Sequence, residues 1–254
     1  MSTHSLVTGA GRGIGSAIAA ALAGAGHRVA VHAGHDAEAG RKVAASLPGS
    51  GHTVVIGDLS TAAECERVFR EAADRLGGLD VLVNNAGTYR PHPVPGTSYA
   101  NWQDVWRQTM NLNLFAPANL SWLMADHLIN RAQDGGGGRG RIVNVGSRGA
   151  FRGEAETPAY AASKAGLHAL TQSLAVALAP HGIVSTAVAP GFVDTRMGRP
   201  ALEGESGVAI RAQSPFNRVA EPEEVAAAVL WLAGDAPEWV SGTIIDVNGA
   251  SYLR

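Results

Sequence analysis

The stretch Thr8-Gly9-Ala10-Gly11-Arg12-Gly13-Ile14-Gly15 decides the fold. It begins where a short apolar run ends, and the alanine-rich pattern of a helix follows it. Glycines at a strand-to-helix turn permit a tight bend and let the backbone approach a pyrophosphate, which lies at the positive N-terminus of the helix. In this context the turn predicts a dinucleotide-binding site.

The rest of the chain alternates short apolar runs with longer helical patterns. The apolar runs predict seven strands, at residues 4–8, 28–33, 52–57, 79–84, 141–146, 183–189 and 243–247. Nearly continuous apolar runs are typical of parallel strands that are covered on both faces. We therefore expect one α/β domain over residues 1–254, a doubly wound, parallel seven-stranded sheet with helices on both faces (a Rossmann fold).

Composition narrows the range of partners. The 254 residues carry a net charge of -2 and no run of basic residues, which disfavours a nucleic-acid partner. No apolar run approaches the roughly 18 residues that a membrane span needs, and the N-terminus lacks the pattern of a signal peptide. Cys65 is the single cysteine, so no intrachain disulfide can form. We expect a soluble cytoplasmic protein without a membrane partner, and no metal site is predicted.

Tyr160 and Lys164 lie four residues apart at the start of a predicted helix, a spacing that puts both side chains on one face. The pKa of a free phenol is near ~10, too high for ready proton exchange at neutral pH. A neighbouring ammonium and the cationic nicotinamide of a bound dinucleotide both favour the phenolate and are expected to lower that pKa. Ser147 lies thirteen positions before Tyr160, at the end of the fifth predicted strand. The pairing of Tyr160 with Lys164 indicates an acid/base site.

These motifs resemble those of the short-chain dehydrogenase/reductase family. The family motif Thr-Gly-x-x-x-Gly-x-Gly matches Thr8 to Gly15, and further matches follow successive strands at Asp58-Leu59, Asn84-Asn85-Ala86-Gly87 and Pro190-Gly191. The resemblance covers almost the whole chain. It implies an NAD(P)-dependent oxidoreductase that interconverts a ketone and a secondary alcohol by hydride transfer. Within the family the pattern looks most like 3-oxoacyl-[acyl-carrier-protein] reductases.

The resemblance also implies a role for each catalytic residue. Tyr160 would be the acid/base, Ser147 would hydrogen-bond the substrate carbonyl, and Lys164 would hold the nicotinamide ribose. The fourth catalytic residue would be an asparagine that helps to hold a water between Lys164 and solvent. Of two candidates, Asn113 fits the family pattern better than Asn111, because a tryptophan precedes it by seven residues.

Cofactor contacts are implied in the same way. Asp58 would contact the adenine, residues 85–87 would line the adenosine ribose, and residues 190–193 would hold the carboxamide. The full set of expected contacts is Gly9, Arg12, Gly13, Ile14, Gly15, Asp58, Leu59, Asn85, Ala86, Gly87, Tyr160, Lys164, Pro190, Gly191, Val193 and Thr195.

The end of the second strand bears on which dinucleotide is used. A carboxylate there would bind the ribose 2′-hydroxyl of NAD and repel a 2′-phosphate, but the sequence has Ala33 at that position. Arg12 in the glycine turn can reach a 2′-phosphate, and His35 could assist. The pattern predicts NADP(H), with NAD(H) as the alternative.

The sequence leaves the substrate open. Residues 195–218 have no clean period and are expected to form a lid, which contains Arg196, Arg199 and Arg211. Arg148–Phe151 and Phe192 are candidate pocket walls, with Arg90–Pro95 as the opposite rim. By family resemblance we expect a homotetramer in which long helices, predicted at about 99–130 and 161–179, pack across a two-fold axis.

Three alternative functions make different predictions about the sequence. An NAD-dependent alcohol or sugar dehydrogenase differs only in cofactor and substrate. A non-catalytic dinucleotide-binding regulator would have a disrupted active site, whereas Asn113, Ser147, Tyr160 and Lys164 are all present. Epimerases and dehydratases of this fold carry a further C-terminal substrate domain, for which a chain ending at Arg254 has no room.

Overall fold

A computed structural model describes residues 3–133, 139–196 and 198–254 of the chain. Its strands are β1 (His4–Val7), β2 (Arg28–Ala33), β3 (Thr53–Ile56), β4 (Val81–Asn84), β5 (Gly140–Val145), β6 (Ile183–Pro190) and β7 (Ile244–Val247). All pair in parallel, in the order β3-β2-β1-β4-β5-β6-β7. The predicted doubly wound sheet of seven parallel strands is confirmed.

Helices cover both faces of the sheet. They are α1 (Gly13–Gly24), α2 (Ala37–Ser46), α3 (Ala62–Leu76), α4 (Tyr99–Met110), α5 (Ala116–Gln133), α6 (Pro158–Leu178), α7 (Gly204–Arg211) and α8 (Pro222–Ala233). Successive strand residues point to opposite faces, so Val7 of β1 packs in the layer of α1 and α8, and Leu6 packs in the layer of α3 and α5. The apolar strands are therefore buried between two helical layers.

The strand order reverses between β1 and β4, and the cofactor crevice of a doubly wound fold lies at such a point. The turn after β1 comes very close to the end of β4 there. Gly9 has φ +63°, and a Cβ on it would lie 2.9 Å from the Cα of Ala86. Only glycine fits this approach, which is why the glycine motif predicts the fold so strongly.

The long predicted helix at 99–130 is two helices, α4 and α5, joined by a five-residue π-helix (Asn111–Phe115). Pro117 explains the break, because it has no N–H to donate to the carbonyl of Asn113, as a continuous α-helix would require. The interruption lies beside the predicted catalytic asparagine.

The segment 195–218 is more regular than the sequence suggested. It contains α7 and a short 3₁₀-helix (Arg199–Leu202), while Met197 lies outside the described residues. The sequence pattern did not predict α7 because the helix contains Gly207, and glycine is a poor helix former. The structure requires glycine here because a Cβ would collide with the backbone of Leu202.

Within the described ranges, no helix is long and apolar enough to cross a membrane. The same residues contain no group of His, Cys, Asp and Glu side chains that could hold a metal ion.

Candidate active site

The glycine turn presents the N-terminus of α1 to the crevice. The first turn of α1 contains no acidic residue, and its leading amides have no partner within the helix. Gly13 has φ +57°, and a Cβ on it would lie 3.4 Å from the Cγ2 of Thr195. The amides of Gly13, Ile14 and Gly15 thus line a cradle closed by Thr195. This donor set fits the pyrophosphate of a dinucleotide.

Thr8 fastens this turn to the end of β4. Its hydroxyl oxygen accepts the backbone N–H groups of Asn85 at 2.9 Å and Ala86 at 3.0 Å. The side-chain amide of Asn85 donates back to the carbonyls of Thr8 at 2.9 Å and Gly9 at 3.2 Å. Asn85 and Ala86 therefore lie against the glycine turn.

The predicted adenine contacts Asp58 and Leu59 differ in accessibility. Asp58 is exposed, and one carboxylate oxygen accepts the N–H of Ser60 at 3.0 Å. Leu59 has its side chain in the core at 2% exposure, so only its backbone can reach a cofactor. Thr61 caps α3, because its hydroxyl accepts the N–H of Glu64 at 3.3 Å.

The loop after β6 forms the opposite wall. Val193 forms an isolated parallel bridge with Ala220, in which the flanking Asp194 N–H and Phe192 carbonyl bond Ala220 at 2.9 and 3.0 Å. The N–H of Val193 therefore points to the other side of the strand, where it is free to donate. The Val193 side chain is buried in the core, so its backbone alone could hold a carboxamide.

Ser147, Tyr160 and Lys164 converge at the end of β5. The Ser147 oxygen accepts the N–H of Gly149 at 3.0 Å, and the Ser147 hydroxyl is also hydrogen-bonded to Tyr160. The Nζ of Lys164 is buried and donates to the carbonyl of Val145 at 2.8 Å. That Nζ lies 5.8 Å from the centre of the Tyr160 ring.

Burial controls both titrating groups. It raises the pKa of Tyr160 to about 12, with a partly opposing effect from the Ser147 hydroxyl. It also lowers the pKa of Lys164 to about 8. Within the protein alone, the pKa of Tyr160 thus moves opposite to the lowering predicted from sequence. The reason is that desolvation outweighs any effect of an ammonium held on the backbone of Val145.

Asn113 is fully buried beside this site. Its side chain accepts the N–H of Thr88 at 2.8 Å and donates to the Thr88 carbonyl at 3.0 Å and to the Ser163 hydroxyl at 3.2 Å. Asn111 instead lines a separate surface cavity with residues of α5. A Cβ on Gly87 would lie 3.3 Å from the Oδ1 of Asn113 and 3.8 Å from the Nζ of Lys164, so both predicted residues face Gly87.

Aromatic side chains flank the acid/base group. Tyr89 packs edge-on against Tyr160 with ring centres 5.0 Å apart. The sequence did not predict this contact, because no spacing rule links the loop after β4 to helix α6. Arg148 is buried, donates to the Ser251 hydroxyl at 2.6 Å and lies over the Phe192 ring. Both Arg148 and Phe192 line a cavity of about 210 Å³ under the predicted lid.

The lid arginines are less available than the sequence suggested. Arg199 lies 3.4 Å from the carboxylate of Asp194, and Arg211 donates to the carbonyl of Leu202. Arg196 is exposed. The lid therefore presents less positive charge toward a substrate than its composition implies.

Comparisons with known proteins agree with this geometry. A family model described as enoyl-(acyl carrier protein) reductase matches residues 9–250. The 3-oxoacyl-[acyl-carrier-protein] reductase of Vibrio cholerae is 36% identical over 248 residues, 98% of this chain and 96% of that protein. The acetoacetyl-CoA reductase of Rhizobium meliloti is 37% identical over 255 residues, which span 100% of both chains.

Solved structures match over nearly the whole chain. A 3-ketoacyl-(acyl-carrier-protein) reductase from Brucella melitensis complexed with NADH has a TM-score of 0.88 at 25% identity and covers 99% of this chain and 98% of its own. A protein from Beutenbergia cavernae assigned as an NAD(P)-dependent gluconate 5-dehydrogenase, with bound NADP, has a TM-score of 0.86 at 33% identity, covering 98% and 96%.

The fold and these relatives define an oxidoreductase that uses a nicotinamide dinucleotide to interconvert ketones and secondary alcohols. The chain belongs to the short-chain dehydrogenase/reductase family.

The buried lysine gives a direct test of the electrostatics. The chain has two lysines, Lys164 and the exposed Lys42 of α2, so side-chain NMR signals can be assigned by mutation. We expect Lys164 to titrate near pH 8. Unfolded lysine titrates near ~10.4, so between these values the unfolded chain binds more protons and the free energy of unfolding rises with pH.

Lys164→Met should abolish this rise between pH 8 and 9, measured by urea unfolding, and Lys42→Met should leave it intact. A Lys164 signal that titrates at the unfolded value would contradict the desolvation argument.

Proposed function

We propose that the chain reduces a 3-oxoacyl thioester with NADPH, with Tyr160 as the acid/base. The convergence of Ser147, Tyr160 and Lys164 beside the glycine cradle carries this proposal. The substrate class is supported by the relatives from Vibrio cholerae and Rhizobium meliloti, which are named as reductases of 3-oxoacyl and acetoacetyl thioesters.

A bound nicotinamide would supply the hydride, and the protein would manage the charge on the carbonyl oxygen. Ser147 would donate its O–H to that oxygen, while the Gly149 N–H holds the Ser147 oxygen in place. Tyr160 donates the proton that makes the alcohol. Lys164 would hold the ribose hydroxyls, and a proton would return to Tyr160 through those hydroxyls and Lys164, which is reprotonated from water. A pKa of about 8 suits Lys164 to this exchange near neutral pH.

Asn113 is a positioning residue in this scheme, because its side chain contacts Thr88 and Ser163. Both amide hydrogens of its side chain are donated and its Oδ1 accepts the Thr88 N–H, so Asn113 fixes the loop after β4 against the start of α6. The carbonyl of Asn113, which Pro117 cannot bond, is the candidate acceptor for a water beside Lys164.

The acid/base role is tested with Tyr160→Phe. We expect kcat for acetoacetyl-CoA reduction to fall by roughly 10³-fold or more, because the proton donor is lost, while NADPH still binds within about threefold. Tyr89→Phe, which removes a neighbouring hydroxyl and keeps the ring, is the matched control and should retain most of the activity.

A bulky cyclic ketone and an enoyl thioester complete the substrate panel. The matching family model is described as an enoyl-(acyl carrier protein) reductase, and an enoyl group is reduced at its C=C bond. The enoyl thioester therefore tests whether the chain reduces C=C or C=O. Efficient turnover of the enoyl thioester alone, or full activity in Tyr160→Phe, would reject the proposal.

NADP(H) preference rests on the end of β2. Ala33 is buried there and faces the glycine turn, since a Cβ on Gly11 would lie 3.5 Å from its Cβ. The next carboxylate along the chain, Asp36, caps α2 by accepting the N–H of Ala39 at 2.9 Å. Arg12 is exposed at the start of α1, where it can pair with a 2′-phosphate.

Arg12→Ala should raise the KM for NADPH about tenfold and leave that for NADH within about twofold, because only NADPH carries the 2′-phosphate. Steady-state assays with both cofactors measure this. Arg70→Ala, at an exposed arginine of α3, is the control. If Arg12→Ala raised the KM for NADPH and the KM for NADH equally, Arg12 would not distinguish the two cofactors.

We propose a cytoplasmic homotetramer. The buried, free thiol of Cys65 is typical of a reducing compartment. Aromatic side chains are exposed along α4, the π-helix and α5, with Tyr99 at 75%, Phe115 at 52% and Trp122 at 65%. Such a surface is costly to leave in water and suits the predicted packing of helices across a two-fold axis.

Light scattering after gel filtration tests the assembly. The wild type should have four times the chain mass of 26.1 kDa. Trp122→Glu should reduce the mass, because a charge would be buried in the interface. Ala45→Glu on exposed α2 should not. A wild type that runs as a monomer would contradict the proposal.

A further inference from the structure

His32 in β2 is a buried titratable residue that the reaction scheme leaves unused. Only 2% of its surface is exposed. Its Nδ1 lies 3.0 Å from the backbone nitrogen of Gly9, and its Nε2 lies 3.0 Å from the carbonyl oxygen of Gly57. The ring therefore reaches from the turn after β1 to the segment after β3.

The two partners determine the protonation of the ring. The carbonyl of Gly57 can only accept, so Nε2 carries the hydrogen, and Nδ1 must be unprotonated to accept the Gly9 N–H. Burial keeps the imidazole neutral by lowering its pKa, and this outweighs the raising effect of the Gly57 hydrogen bond. Arg67 lowers the pKa further and Asp58 opposes it. A second proton would break the bond to Gly9.

The backbone of β2 strengthens the same connection. The carbonyl of His32 accepts the N–H of Ala10 at 2.7 Å, and the carbonyl of Ala33 accepts the N–H of Gly57 at 3.2 Å. Gly9 and Ala10 belong to the pyrophosphate turn, and Gly57 directly precedes Asp58. One residue thus holds both segments that would grip the adenosine half of a dinucleotide.

From these contacts we infer that His32 is a positioning residue for cofactor binding. It fixes the left-handed Gly9 conformation and the spacing between the glycine turn and Asp58, and it touches no reacting atom. This inference rests on the nicotinamide dinucleotide binding argued above.

Three variants separate the two hydrogen bonds. His32→Asn places Oδ1 where Nδ1 stands and keeps the acceptor for Gly9. His32→Gln places an amide nitrogen near Nε2 and keeps only the donor to Gly57. His32→Leu keeps neither bond. The matched control is His27→Leu, which loses a 2.7 Å bond to the Ser5 hydroxyl at the opposite end of the sheet.

The Kd for NADPH is measured by fluorescence titration, together with Tm and steady-state kinetics. We expect His32→Leu to raise the Kd and KM for NADPH about tenfold, with kcat at saturating NADPH within about twofold. His32→Asn should recover most of the affinity and His32→Gln less. His27→Leu should lower Tm without changing the Kd.

Several outcomes would overturn the inference. Wild-type affinity in His32→Leu, or equal affinities for the Asn and Gln variants, would reduce His32 to a core residue. If His32→Leu does not fold, the Asn and Gln pair decides the question alone. A wild type that bound neither NADPH nor NADH would overturn the cofactor assignment itself, and the role of His32 with it.

Discussion

The hydroxyl of Thr8 is the contact on which the rest of the site depends. Strand order reverses between β1 and β4, so the ends of these strands diverge into helices on opposite faces of the sheet. The Thr8 oxygen accepts hydrogen bonds from the backbone N–H groups of Asn85 and Ala86, which follow β4, and so holds the two strand ends together. Gly9 therefore lies within contact distance of Ala86, and the two walls of the crevice have a fixed position relative to each other.

A buried polar network extends this alignment below the site. The side chain of Asn84 donates to that of Asn144 at 2.9 Å, and Asn144 donates to the Thr171 hydroxyl of α6 at 2.9 Å. These bonds join β4, β5 and the helix that carries Tyr160 and Lys164. Buried amides are costly unless paired, so the network specifies one register of α6 against the sheet. The acid/base pair is therefore placed by residues that never meet a substrate.

Much of this was predictable because it depends on local rules. Strand positions followed from apolar runs, and the cofactor turn followed from glycines whose function requires φ above zero or close approach. Asn113 could be chosen over Asn111 from its neighbours, and burial of Asn113 agrees with that choice. Tyr160 and Lys164 lie on the same face of α6 because they are four residues apart.

What escaped prediction depends on contacts between distant segments. Tyr89 against Tyr160 and His32 between Gly9 and Gly57 involve three-dimensional neighbours that no sequence spacing encodes. The pKa of Tyr160 was predicted in the wrong direction for the protein alone, because desolvation cannot be judged without knowing how deeply the hydroxyl lies. Helix α7 was missed because Gly207 serves packing against Leu202 rather than helix propensity.

The substrate side of the crevice is held by contacts between loops, whereas the cofactor side is held by contacts at the ends of the strands. Arg148, next to Ser147, bonds Ser251 near the C-terminus and lies over Phe192, while Ser214 in the lid segment bonds the carbonyl of Gly249 at 2.6 Å. The residue after Ser147, the loop after β6 and the predicted lid are thus linked through Arg148 and the short segment after β7. Since these links join side chains on loops, substitutions there can reshape the pocket and leave the Thr8 and Asn144 contacts intact. The sheet fixes where the hydride and proton are exchanged, and these loops determine which ketone reaches them.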